Sequence, residues 1–79
     1  HGALDLLDRS ATNALALLQR HQAGDWGDIH PDDVTANREA VQHGFRILSS
    51  YPLGATAERI WIITEADRSA TTLLLPAEY

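Results

Sequence analysis

One short apolar run constrains the fold more than any other part of the chain. Within residues 59–65, Ile60 and Ile62 point to one side of an extended backbone and Trp61 and Ile63 point to the other, because successive strand side chains alternate. A strand that is open to water on one face would instead alternate apolar with polar residues. Residues 59–65 therefore predict a central strand that is covered from both sides.

A second strand follows this one and folds back onto it. Residues 71–75 are β-branched and leucine-rich, and Pro76, which cannot donate to a strand ladder, ends the run. Between the two runs, residues 65–70 contain Asp67 and Ser69, whose side chains can bond nearby backbone amides. The pattern predicts an antiparallel pair joined by a loop of about four or five residues.

The first third of the chain has helical spacing. Apolar residues recur with that period over residues 3–9 and again over residues 11–22, with Ser10 or Thr12 as the N-cap of the second segment. Neither residue forbids continuation, so a single helix over residues 3–22 remains an alternative.

A third helix and a further strand complete the predicted elements. Pro31 suits the first position of a helix, and Gly44 suits its end. Residues 45–51 then alternate as a strand, which Pro52 breaks. Helices that precede a run of short strands indicate one two-layer α+β domain over residues 1–79. In it, the N-terminal helices pack on a three-stranded antiparallel β-meander.

Chain length favours self-association. A domain of 79 residues lies near the size at which a single core is only marginally stable. The helices suffice for one layer, so the sheet face with Trp61 and Ile63 would lack cover, together with Leu48 and Leu74. Apolar patches of this kind mark interfaces, and we expect a homodimer through this face or the adjacent strand edge, with a missing N-terminal segment as the alternative cover.

Composition excludes several classes of protein. The chain has no cysteine, which removes disulfides, thiolate metal sites and cysteine nucleophiles. It shows no signal peptide and no apolar run near the length of a membrane span, so we expect a cytoplasmic protein without membrane contact. The net charge is −5 and the six basic residues are scattered arginines. Nucleic acid is therefore disfavoured as a ligand, unless folding gathers Arg46, Arg59 and Arg68 on one sheet face.

The glycine-bracketed sequence GDWGD is the most distinctive loop. In one interpretation Trp26 folds back over the helix ends, and Asp25 and Asp28 bond local amides. In the other, the loop presents Trp26 or its carboxylates to a ligand. With Trp61 and Arg68 from the sheet, these residues form the set of candidate binding residues.

Signals for catalysis or metal binding are weak. Four possible metal ligands fall close together but match no recognised spacing; they are His21, Asp25, Asp28 and His30. A hydrolytic set would combine Ser69, Thr71 or Thr72 with His21 or His43, yet no nucleophile elbow is present. We therefore expect no catalytic residues, no metal and no cofactor. A small metal-dependent or hydrolytic enzyme that uses residues 21–30 remains an alternative.

Three long words in the sequence carry a family resemblance. With RHQAGDWGD, GFRILSSY and WIITEADRSATTLLLPAEY, residues 2–79 resemble a small family of bacterial proteins described as plasmid-related and found on mobile elements. Members of the family have further N-terminal residues before the segment that corresponds to Gly2-Ala3-Leu4 here. The resemblance therefore implies a truncated N-terminus, and the missing part could add a strand. Some relatives are labelled as a type I restriction methyltransferase subunit. That activity needs a doubly wound sheet with a glycine-rich cofactor loop, which three strands cannot supply.

The resemblance thus implies a mobile-gene context, plasmid or gene cassette, without an activity or catalytic residues. Together with the composition, it favours a non-enzymatic accessory protein that binds another macromolecule, with a protein as the expected partner. The enzyme that uses residues 21–30 and a nucleic-acid binder that uses the sheet arginines are the alternatives.

Overall fold

A computed structural model describes residues 2–9, 12–53 and 58–78. Three helices precede three strands: α1 Gly2–Arg9, α2 Ala14–Gln22, α3 Pro31–His43, β1 Ile47–Pro52, β2 Arg59–Thr64 and β3 Thr71–Leu74, followed by a 3₁₀ turn at Pro76–Glu78. The strands form one antiparallel sheet in the order β1-β2-β3. The predicted α+β fold, with helices before an antiparallel meander and residues 59–65 at its centre, is confirmed.

The second helix begins later than predicted. Asn13, rather than Ser10 or Thr12, is its N-cap, and the Oδ1 atom of Asn13 accepts a hydrogen bond from the Leu15 amide at 2.9 Å. Thr12 and Asn13 are not helical, so α1 and α2 are separate helices; Ser10 lies outside the described residues. An amide oxygen caps a helix as well as a hydroxyl does, but Asn13 was not among the predicted N-caps.

The third helix has the predicted ends, but the strand after it is shifted. Pro31 opens α3, and Gly44 closes it in the left-handed conformation at φ 76°. The Phe45 amide still donates to the Ala40 carbonyl at 3.2 Å, so Phe45 takes part in the C-terminal cap of the helix. The strand β1 therefore starts at Ile47 rather than at residue 45. It includes Pro52, which is tolerated because β1 is an edge strand.

The main core lies between the sheet and the first two helices. Ile60 and Ile62 of β2 are fully buried on this face, and burial of such side chains stabilises the fold by roughly 1.5–3 kcal/mol each. They share one cluster with residues of α1, α2 and the strand β1: Ala3, Leu6, Leu7, Leu17, Tyr51 and Leu53.

The opposite sheet face is better covered than the sequence suggested. Ile63 is only 3% exposed, so the expectation that it lacks cover is wrong. Trp61, Leu48 and Leu74 are half-buried. The helix α3 packs beside β1. None of the described helices is long and apolar enough to cross a membrane.

Candidate functional site

The GDWGD loop lies along the outer edge of β1. The Ser50 amide donates to the Trp26 carbonyl at 3.0 Å, and the Asp28 amide donates to the Ser50 carbonyl at 2.8 Å. Gly27 thereby forms a parallel bridge with Ser50. A free strand edge is a site for unwanted pairing, and this segment closes that part of the edge from within the chain.

Close approach of the loop requires glycine at position 27. Gly27 has φ 75°, and a Cβ atom there would lie 2.6 Å from the Cδ1 atom of Tyr51. Residues other than glycine are strained at such a φ. A side chain at position 27 would also collide with β1. The second glycine of GDWGD is therefore explained by packing against β1.

A side chain of α3 bonds this edge at Leu48. Asn37 donates from Nδ2 to the Leu48 carbonyl at 2.6 Å and accepts at Oδ1 from the Leu48 amide at 3.1 Å. Asn37 is itself buried, and its amide reproduces the pairing of a neighbouring strand. Leu48 and Ser50 thus have their outward backbone groups satisfied, and we call residues 26–28 with Asn37 the β1 cover.

The carboxylates of the loop form ion pairs with arginines. The Nε atom of Arg20 lies 2.6 Å from Oδ2 of Asp25, and this hydrogen bond lowers the pKa of Asp25. The Arg20 guanidinium also lies over the Tyr51 ring, 4.6 Å from its centroid, while the Tyr51 hydroxyl donates to the Asp25 carbonyl at 2.6 Å. Asp28 lies 3.3 Å from Arg59. Both carboxylates therefore hold the loop to the rest of the fold.

Arg68 joins the β2–β3 turn to the end of α3. It donates to the carbonyls of Phe45 at 2.7 Å and Ala40 at 3.1 Å, and also to two carbonyls of its own turn. The turn is closed by the Glu65 amide, which donates to the Ala70 carbonyl at 3.0 Å. These bonds occupy the Arg68 guanidinium with contacts inside the protein.

The sheet arginines do not gather on one face. Arg59 starts β2 and bonds Asp28 and the Ser50 hydroxyl, whereas Arg68 lies in the turn beyond the other end of β2. Arg46 precedes β1, whose first residue pairs with the last residue of β2, so it lies at the end away from Arg59. Arg46, Arg59 and Arg68 therefore do not form one continuous basic surface of the kind that binds a phosphate backbone.

The four possible metal ligands point apart. His21 turns into the core, Asp25 binds Arg20, and His30 caps α3 by accepting from the Asp32 amide at 3.1 Å. Within residues 2–9, 12–53 and 58–78, no three His, Asp or Glu side chains could hold a metal ion together.

His21 forms the one chain of imidazole and hydroxyl groups that resembles catalytic machinery in the described structure. Its Nδ1 atom lies 2.5 Å from Oγ of Ser49, and its Nε2 atom lies 2.8 Å from Oγ1 of Thr64, which in turn lies 3.0 Å from Oγ1 of Thr71. An imidazole beside a hydroxyl can activate a nucleophile. Ser49, however, is 0% exposed, so no substrate reaches it in this conformation.

Sequence reasoning considered His21 with Thr71 but missed Ser49 and Thr64. The structure links His21 to Thr71 only through Thr64. The signal for Ser49 was present, because it alternates with Ile47 and Tyr51 and must point to the same sheet face as they do. Pairing with His21 followed only from the packing of α2 on that face.

An open groove lies where the end of α2, the GDWGD loop and α3 meet. Its volume is about 450 Å³, and its lining includes Gln22, Trp26, Arg38, Val41 and Gln42. Trp26 is half-buried, whereas Val41 is 62% exposed. Of the candidate binding residues, Trp26 lines this groove. Trp61 lines a separate cavity of about 210 Å³ with His30 and Arg59.

Comparison with family models, with curated proteins and with solved structures finds no match to this chain. The plasmid-related resemblance therefore stays a hypothesis. The class that the geometry defines is a small α+β protein in which the described polar clusters are bonded internally.

Proposed function

We propose that this protein is a non-enzymatic binding protein, and that the groove beside Trp26 receives a segment of another protein. The observation that carries this proposal is the exposed apolar and cationic lining of the groove. Elsewhere in the described structure, the polar side chains that could take part in catalysis or metal binding, such as His21 and Asp25, are bonded to other groups of the protein.

The lining favours a particular kind of segment. Trp26 and Val41 offer apolar surface, and Gln22 and Gln42 offer amide donors and acceptors at the rim. Arg38 takes part in none of the ion pairs found among the described residues. Tryptophan and arginine are the residue types that most often dominate binding energy at interfaces. A segment with a large apolar side chain next to a carboxylate would complement this groove.

The cellular setting is part of the same proposal. The resemblance to plasmid-related proteins supports an accessory role on a mobile element, with a cytoplasmic protein as the partner. We also propose that the chain associates with itself as a homodimer.

A random peptide library displayed on phage tests the groove directly. We expect selection on the wild-type protein to enrich peptides that combine an aromatic or large aliphatic residue with Asp or Glu. The selected peptides should bind Val41→Asp and Arg38→Glu at least about tenfold more weakly, a loss of roughly 1.4 kcal/mol.

Leu15→Asp is the matched control, because Leu15 is 60% exposed on α2 and does not line the groove. It should bind the peptides as the wild-type protein does. Failure to enrich any peptide, or equal binding by Val41→Asp, would contradict the proposal.

A further inference from the structure

The outer edge of β3 differs from that of β1. Two hydrogen bonds show which opposite residues of the sheet form hydrogen-bonded pairs. The Leu53 amide donates to the Glu58 carbonyl, and the Glu65 amide donates to the Ala70 carbonyl. Since bonded pairs alternate along antiparallel strands, the residues of β3 opposite Ile62 and Thr64 turn their backbone groups outward. Those residues are Leu73 and Thr71.

These outward groups are unoccupied within the described part of the chain. No described residue donates to or accepts from the outward amides and carbonyls of Thr71 and Leu73. The next outward amide, that of Leu75, is already bound by Oε1 of Glu78 at 2.8 Å. The open part of the edge therefore consists of the outward backbone groups of Thr71 and Leu73. It ends at the β2–β3 turn on one side and at Glu78 on the other.

The usual protection of an edge strand is missing here. Natural edges carry charged residues, prolines or bulges that prevent pairing. Between Arg68 and Glu78 the chain has no charged residue, and Pro76 stands beyond the end of β3. The edge of β1, in contrast, is closed by the β1 cover.

We propose that the β3 edge pairs with the β3 edge of a second copy of this chain, about a two-fold axis at Thr72. Thr71 then faces Leu73 of the partner subunit, and Leu73 faces Thr71 of the partner subunit. Each pair exchanges two backbone hydrogen bonds, and together the pairs satisfy the open groups of both copies. The result is a continuous six-stranded antiparallel sheet, a common size.

The structure selects this register over its neighbour. An axis at Leu73 would place Thr71 opposite Leu75, whose amide is already bound to Glu78. The axis at Thr72 leaves that bond intact. A second copy suits the edge because a two-fold axis makes the pairing reciprocal, so the open residues of each chain match those of the other in number and spacing. Because this edge is neutral, two chains that each carry a charge of −5 can pair there without repulsion between like charges on the paired residues.

A disulfide tests the register. Thr72 is exposed, and across the axis it faces its own copy in a non-hydrogen-bonded pair, with Cα atoms about 4.5 Å apart, within the range that a disulfide spans. The chain has no cysteine of its own. We expect Thr72→Cys to form a covalent dimer under mild oxidation, and Thr35→Cys, exposed on α3, to remain monomeric. Equal cross-linking of both variants, or none in Thr72→Cys, would overturn the register.

Sedimentation equilibrium tests the association itself. We expect the wild-type chain to dimerise within roughly 1–500 µM, and Thr72→Glu, which places like charges opposite each other, to associate at least about tenfold more weakly with an unchanged circular dichroism spectrum. A wild-type chain that stays monomeric throughout would overturn the proposal, as would a dimer that Thr72→Glu leaves intact. The groove is a separate surface, so Thr72→Glu should still bind groove peptides, and the two proposals fail independently.

Discussion

At the scale of single residues, His21 shows how a reactive side chain can serve the fold. Its two ring nitrogens contact hydroxyls from two strands, Ser49 in β1 and Thr64 in β2. A neutral imidazole has one donor and one acceptor nitrogen, and two hydroxyls can complement both. His21 thereby holds α2 to the sheet at a position where an apolar residue would take this partner away from the buried Ser49 hydroxyl.

Burial of this imidazole makes stability depend on pH. Loss of hydration lowers the pKa of His21 in the folded protein, while the unfolded chain keeps a pKa near 6.5. Below about pH 6.5 the unfolded state therefore binds more protons, so this contribution to stability is present above that pH and is lost as the pH falls. We expect the free energy of unfolding in urea to decrease from pH 7 to pH 5 by less in His21→Gln than in the wild-type protein.

His43→Gln is the matched control, because His43 is exposed near the end of α3 and should leave the wild-type pH dependence in place. An identical pH dependence in His21→Gln and wild-type protein would show that His21 does not carry the effect.

At the scale of elements, the β1 cover is the least expected part of the fold. Residues 26–28 pair with a strand although GDWGD has the composition of a loop. The pairing depends on Gly27, since a side chain there would enter the space of Tyr51. Two glycines with positive φ flank Trp26, and only the second is crowded.

This difference gives a matched pair of substitutions. Gly24 has φ 86° and no neighbouring atoms within 4 Å of an added Cβ. Gly24→Ala should therefore lower the free energy of unfolding only by the strain of a left-handed alanine, about 1–2 kcal/mol. Gly27→Ala should lower the free energy of unfolding by the same strain and by roughly 1–3 kcal/mol more, because its Cβ displaces the loop from β1. Urea denaturation measures both. Equal losses would mean that the loop does not rest on β1 as described.

Prediction from sequence succeeded where a local pattern carries the structure. Two-sided apolar alternation located β2, and Pro31 with Gly44 located both ends of α3, since each signal needs only neighbouring residues. The β1 cover could not be predicted in this way. Nothing local distinguishes Asn37 as the side chain that bonds the backbone of Leu48, a residue eleven positions away.

The candidate site was predicted in part. Trp26 was among the candidate binding residues, and it lines the groove. Arg38 and Val41 were missed as its companions, because the signals at the two ends of α3 do not indicate which element this helix packs against. Packing of α3 beside β1 instead left Val41 exposed next to the loop.

At the scale of the whole molecule, the sheet is asymmetric. Among residues 2–9, 12–53 and 58–78, the β1 edge is bonded at Leu48 and Ser50, whereas the neutral β3 edge has unpaired backbone groups at Thr71 and Leu73. In a chain of 79 residues, an added strand pairing would enlarge a sheet that is small for a stable domain. The groove and the β3 edge are the two surfaces through which we expect this protein to act.

Amide hydrogen exchange, followed residue by residue by NMR, tests this asymmetry most directly. In dilute Thr72→Glu protein we expect slow exchange at Leu48 and Ser50 and fast exchange at Thr71 and Leu73. In concentrated wild-type protein the latter two amides should become protected. Fast exchange at Ser50, or protection of Leu73 in the dilute variant, would contradict a sheet with one closed edge and one open edge.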